Sequence, residues 1–176
     1  MHDNLVNTLD NYFLIAHSNQ PTMRHLLLTF SVIALCSLSA IGQENLRKTH
    51  FNLNKNKVAI SGYDAVAYFT QNKAVEGDKK FVVNAEGILY YFSSQTNKDL
   101  FLKNWKTYEP QYGGWCAYAM GATGEKVEVD PETFKIVNGK LYLFYHTWVN
   151  NTLNKWNKDE ASLKSKADAS WVKTFK

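Results

Sequence analysis

The dipeptide Asn138-Gly139, flanked by Phe134-Lys135-Ile136-Val137 and Leu141–Tyr145, constrains this chain more than any other stretch. Asn-Gly suits a two-residue turn between strands, and its flanks are β-branched and aromatic. A second hairpin is predicted around Asn84-Ala85-Glu86-Gly87, between Lys79–Val83 and Ile88–Phe92. Val58-Ala59-Ile60-Ser61 reads as a short strand stopped by Gly62. Ser94 caps one helix that carries Leu100, Phe101, Trp105 and Tyr108 on a single face and ends at Pro110. Trp148, Thr152 and Trp156 have helical spacing, and a last helix is predicted from Asp159 to Ala169, with Trp171 pinning its end. Asp64 and Asp130 read as caps of short helical turns. No internal repeat is apparent. The class is α+β: one small domain of antiparallel β-hairpins with helices packed on one face.

The first 42 residues stand apart from that pattern. Met23-Arg24-His25 is a basic start, the apolar run Leu26–Leu35 is too short to span a bilayer, and Ala40-Ile41-Gly42 is a small-residue cleavage site. Together they describe a secretory signal peptide over 1–42. Residues 1–22, with Asp3 and Asp10, are odd ahead of such a signal and point to translation starting at Met23. Residues 43–57 are polar and read as a leader, and 58–176 form the domain. Export to the periplasm or beyond the cell is expected, with no membrane span left after cleavage.

The 134 residues after Gly42 carry 19 Lys+Arg and 14 Asp+Glu. The lysines are scattered instead of forming a stripe, so no nucleic-acid partner is expected. Cys36 falls inside the signal, which leaves Cys116 as the single thiol and excludes an internal disulfide.

That thiol lies in Gln111-Tyr112-Gly113-Gly114-Trp115-Cys116-Ala117-Tyr118-Ala119-Met120 and has three readings. As a ligand, Cys116 shares a helix face with Met120 at i,i+4, and His146 completes a soft set suited to Cu(I). As a nucleophile, Cys116 pairs with His146 as base, with the Gly113-Gly114 amides as oxyanion donors. As core atoms, Cys116 is a small hydrophobe and Met120 fills a gap, and the apolar neighbourhood favours this use. The glycine pair lets the backbone turn tightly or approach another segment closely. Tyr63, Tyr68, Tyr90, Tyr91, Tyr112, Tyr118, Tyr142 and Tyr145 either line a ligand pocket or, the favoured reading, fill the core with hydroxyls at its rim. His50 sits in the polar leader and is read as solvated.

Gly62-Tyr63-Asp64-Ala65-Val66-Ala67-Tyr68-Phe69, Tyr90-Tyr91-Phe92-Ser93-Ser94, Gln111–Tyr118 and Val137-Asn138-Gly139-Lys140-Leu141-Tyr142-Leu143, in this order, resemble the YHS-domain proteins, specifically their small exported bacterial branch. The resemblance covers Val58 to Trp171 and implies a treble-clef-like scaffold. The YHS modules of metal-transporting ATPases carry metal-binding cysteines where this chain has Ala67, Ser93 and Asn97. Hydroxyl and amide groups are poor ligands for zinc or copper, so the resemblance implies the scaffold without that metal site. The expectation is an exported YHS-type binding protein, not an enzyme in its own right, that takes a metal ion (copper first) or a small ligand at Cys116, Met120 and His146. The alternatives are a thiol enzyme or redox protein using Cys116 and His146, and a structural or interaction module with no site.

Overall fold

The chain divides into two segments, 1–42 and 43–176. In this computed structural model the described residues are Gly42 and 44–174. The readings of residues 1–42 as a signal peptide, of Met23 as the start and of Cys36 as part of the signal lie outside them. The segment 43–176 is α+β. Residues 44–50 are helical (α1), followed by α2 (Ala67–Thr70), β1 (Asp78–Ala85), β2 (Ile88–Phe92), α3 (Gln95–Lys103) and α4 (Trp105–Tyr108). The second half holds α5 (Ala117–Ala122), β3 (Asp130–Val137), β4 (Lys140–Phe144), β5 (His146–Thr147), β6 (Asn150–Asn151), α6 (Thr152–Trp156) and α7 (Glu160–Thr174). Among the described residues the strands form three separate two-stranded antiparallel sheets, β1–β2, β3–β4 and β5–β6. No helix among these residues is long and apolar enough to cross a membrane.

Both predicted hairpins form, and they are the same hairpin twice. In the first, Asp78 faces Phe92, the register shifts, and Val82 to Ala85 face Tyr91 to Ile88. In the second, Asp130 faces Phe144, the register shifts at the same step, and Phe134 to Val137 face Leu143 to Lys140. Each pair lies 52 residues after its counterpart, as Asp78 and Asp130 show.

The correspondence extends well beyond the strands. The isolated bridge Val58–Leu89 recurs as Pro110–Leu141. The bond from Asp64 N to Val75 O, 2.8 Å, recurs from Cys116 N to Val127 O, 3.0 Å. Within 58–144 the residues with positive φ are Ile60, Ser61, Gly62, Asn72, Glu86 and Gly87, then Tyr112, Gly113, Gly114, Gly124, Asn138 and Gly139, six matched pairs at one offset. Aligning 58–92 with 110–144 without a gap makes ten residues identical, including Gly62/Gly114, Asp78/Asp130, Gly87/Gly139 and Phe92/Phe144. The expectation of no repeat is therefore corrected: two copies of one turn–helix–hairpin–helix unit make up the domain. The repeat escapes a sequence reading because the ten shared residues are scattered over the aligned stretch and several packing partners change type, as Tyr68/Met120 and Phe69/Gly121 do.

Other expectations shift locally. Ile60–Gly62 is a left-handed turn instead of a strand end, and Ile60 holds φ 52° while buried. A β-branched residue there is strained, at a cost of about 1–3 kcal/mol that the surrounding core must offset. The single helix after Ser94 is two, broken at Asn104 (φ −158°, ψ 64°), although Ser94 does cap the first through Asn97 N. Asp130 opens β3 and not a helical turn, while accepting from Glu132 N and the Thr133 hydroxyl. Trp148 sits in the β5–β6 turn, fully exposed, so only Thr152 and Trp156 of the predicted face are helical.

The leader is structured in part. Arg47 of α1 is buried, and its guanidinium meets both Glu109 carboxylate oxygens while stacking on Phe51 and Trp105. Burial works against that charge, but the bond to Glu109 outweighs it and holds Arg47 above its ordinary pKa.

Each unit has its own core. Phe101 packs on Tyr90 and Phe92 at 4.8 and 4.9 Å, and Trp156 packs on Tyr142 and Phe144 at 5.7 and 5.6 Å. Strand β4 belongs to both cores. Leu141 and Leu143 point into the first and Tyr142 and Phe144 into the second, as the two-residue period of a strand requires. Only the second unit carries α7, which packs on α5. A Cβ on Gly121 would fall on the Leu163 carbonyl, so glycine is what lets α7 approach. The first unit has Phe69 at that position, stacked edge-on to Tyr108 at 5.4 Å.

Candidate functional site

The repeat puts Asp64 and Cys116 at equivalent places. Asp64 is fully buried. Its Oδ1 accepts from Val66 N (2.9 Å) and Ala67 N (3.2 Å), and its Oδ2 from Ser93 N (2.8 Å), the Ser93 hydroxyl (2.6 Å) and Asn97 Nδ2 (2.7 Å). The cap expected from sequence is present, but it is one end of a larger network. A buried carboxylate is tolerable because neutral donors surround both of its oxygens.

Cys116 repeats this arrangement with a weaker acceptor. Its sulfur, also fully buried, accepts from Tyr145 N at 3.3 Å and lies 3.4 Å from the Thr152 hydroxyl. Tyr145 is the counterpart of Ser93. Thr152 plays the part of Asn97, three residues later than the 52-residue offset because the β5–β6 hairpin intervenes.

Met120 is fully buried in the second core, and its amide closes the α5 turn onto Cys116 O at 3.0 Å. His146 is exposed, and its Nδ1 lies 3.1 Å from Asp130 Oδ2. The hydrogen-bond partner of His146 is thus a carboxylate, and those of the Cys116 sulfur are a backbone amide and a threonine. Among the described residues no group of three or more His, Cys, Asp or Glu side chains is placed to hold a metal ion. A soft cation would have to reach two sulfurs without exposed surface and displace the existing bonds. Asp130 itself is held below its ordinary pKa: burial opposes the charge, but Glu132 N, Thr133 and His146 outweigh it.

In a Cys36→Ser background, Cys116 is expected to resist thiol reagents at neutral pH in native protein and to react fully only in denaturant. Rapid native labelling, followed by mass spectrometry, would restore the nucleophile reading.

The accessible chemistry lies beside the glycine pair. Gly113, at φ +61°, lets the chain pass under the Trp171 ring, where a Cβ would sit 2.7 Å from Cη2. The close approach anticipated for this pair is made, to α7. A cavity of about 260 Å³ opens here, walled by Phe51, Tyr112 and Trp171 and bordered by Lys106, Glu109 and Asp168. Phe51 and Trp171 meet edge to face at 5.8 Å. The Tyr112 hydroxyl donates to Asp168 Oδ1 at 2.9 Å, and burial followed by that bond pushes the phenol pKa up, so it stays protonated. Both carboxylates already have cations: Glu109 has Arg47, and Asp168 has Lys164 at 2.7 Å. Lys106 has instead the face of Trp105, at 5.4 Å.

Sequence reasoning had Tyr112 and Trp171 in view but not as partners. Phe51, Lys106 and Asp168 carried no local signal, because they come from three distant segments. Comparison with family models, with curated proteins and with solved structures finds no match.

Proposed function

We propose that this chain is an exported, YHS-type binding protein, and that its ligand is a small molecule with a flat apolar body and an acidic group, held in the groove between Gly113 and Trp171. The observation that carries the proposal is the composition of that groove. Half-buried Trp171 supplies an apolar face backed by the buried rings of Phe51 and Tyr112, both carboxylates are neutralised by their own cations, and Lys106 is left to meet an anion. The YHS-type, treble-clef-like reading draws support from Ala67, Ser93 and Asn97. These three positions, matched by resemblance to metal-ligand cysteines, converge on the Asp64 carboxylate, as ligand positions around one point would.

The test uses benzoate, phenylacetate and indole-3-acetate as probes, with saturation-transfer NMR and tryptophan fluorescence on the full chain. Binding is expected, and Trp171→Ala should weaken it about tenfold, since an aromatic contact contributes about 0.5–1.5 kcal/mol beyond its buried area. Lys106→Ala should weaken it less and flatten its salt dependence. Absence of binding, or affinity indifferent to both substitutions, would falsify the groove assignment. Stoichiometric Cu(I) uptake that disappears in Cys116→Ser would favour the soft-metal reading over it.

A further inference from the structure

The groove beside Gly113 has a counterpart. A second cavity, of about 320 Å³, lies against the equivalent left-handed turn of the first unit. Asn54, Val58 and Ser61 line it where Lys106, Pro110 and Gly113 line the other, each pair at the repeat offset. The two grooves differ in their outer walls. The second unit supplies Asp168 and Trp171 from α7, which the first unit lacks. In the first unit Tyr63, Tyr91 and Glu76 complete the wall instead.

We infer that this first-unit groove is a separate binding site for a neutral, hydroxyl-rich ligand, a short saccharide. Its chemistry is its own. Its uncharged polar groups are amides and hydroxyls: the Asn56 side chain, the Ser61 hydroxyl and the Tyr91 hydroxyl have no protein hydrogen-bond partner among the described residues. The Asn54 side-chain Oδ1 accepts from Asn56 N (2.9 Å) and Val58 N (3.1 Å), which holds the side-chain amide in place with its NH2 unused. Its charges, Glu76 and Lys79, are of opposite sign, so the groove favours neither an anion nor a cation.

A saccharide suits these groups. Its hydroxyls donate to and accept from amide, hydroxyl and carboxylate groups, its ring presents an apolar C–H face to Tyr63 or Tyr91, and it carries no charge. The volume has room for a mono- or disaccharide. The site shares no lining residue with the aromatic groove and does not depend on the function proposed for it.

The experiment is saturation-transfer NMR of the full chain with maltose, cellobiose and N-acetylglucosamine at millimolar concentration. Transfer to the ring protons of at least one sugar is expected. Asn56→Ala, an exposed position that leaves the core untouched, should weaken binding about fivefold, the effect of one lost hydrogen bond. Tyr91→Ala should weaken it further, with circular dichroism checking the fold, and Trp171→Ala should leave it unchanged. No transfer from any of the three sugars overturns the site, as does binding that both Asn56→Ala and Tyr91→Ala leave intact. Loss only in Trp171→Ala would place the sugar in the other groove and equally overturn it.

Discussion

Replacing Asp64 with alanine is expected to lower stability by about 3–5 kcal/mol, because buried donors from two distant segments lose their acceptor together. Ser93 N, the Ser93 hydroxyl and Asn97 Nδ2 all converge on Oδ2 of the fully buried Asp64. Against a total stability of order 5–15 kcal/mol, this removes a large share. Thermal unfolding should report a Tm lower by roughly 10–20 °C. Asp64→Asn is the sharper test. It keeps the volume but turns an NH2 toward donors or leaves one oxygen's partners unmet, with an expected cost of about 2–4 kcal/mol. If Asp64→Asn unfolds with wild-type Tm, the carboxylate is only filling space and the network is not what holds β2 to α2.

The second large effect is expected at Gly121. In Gly121→Val the new side chain meets the Leu163 backbone, which cannot rotate away as a side-chain tip could. Helix α7 must lift from α5, uncovering Leu163 and Ala167. The expected cost is about 3 kcal/mol, near the upper end for forced overpacking. The aromatic groove should fail with it, since Asp168 and Trp171 ride on α7. Amide chemical shifts of β1 and β2 should stay close to wild type while those of α5 and α7 move. Disturbance spread evenly over both units would show that α7 is not docked through this glycine.

What the sequence made legible follows from the range of the forces involved. Turn chemistry is local, so Asn138-Gly139 placed its hairpin, and helical spacing over Asp159–Ala169 placed α7, which runs on through Trp171. The network on Asp64 was out of reach. Its donors stand 29 and 33 residues along the chain, and only the fold brings them in. Arg47 was hidden for the same reason: a polar leader gives no sign of a bond to Glu109, 62 residues away. Ile60 and Trp148 misled in opposite directions. Tertiary packing holds a β-branched residue in a left-handed turn, and helical spacing at Trp148 carried no information about a residue that packs on nothing. Of the expected site, the residues were nameable but their partners were not, so Cys116, Met120 and His146 shared a pattern without sharing hydrogen-bond partners.

Strand β4 has a consequence for how the chain is assembled over time. Alternate side chains of one five-residue strand complete both hydrophobic cores. The first unit therefore lacks Leu141 and Leu143 until the last third of the sequence has been made, although its own strands are synthesised long before. On an emerging chain it would wait with an open core. Folding is then set by the arrival of the second hairpin, and the doubled architecture behaves as one all-or-none unit instead of two beads on a string.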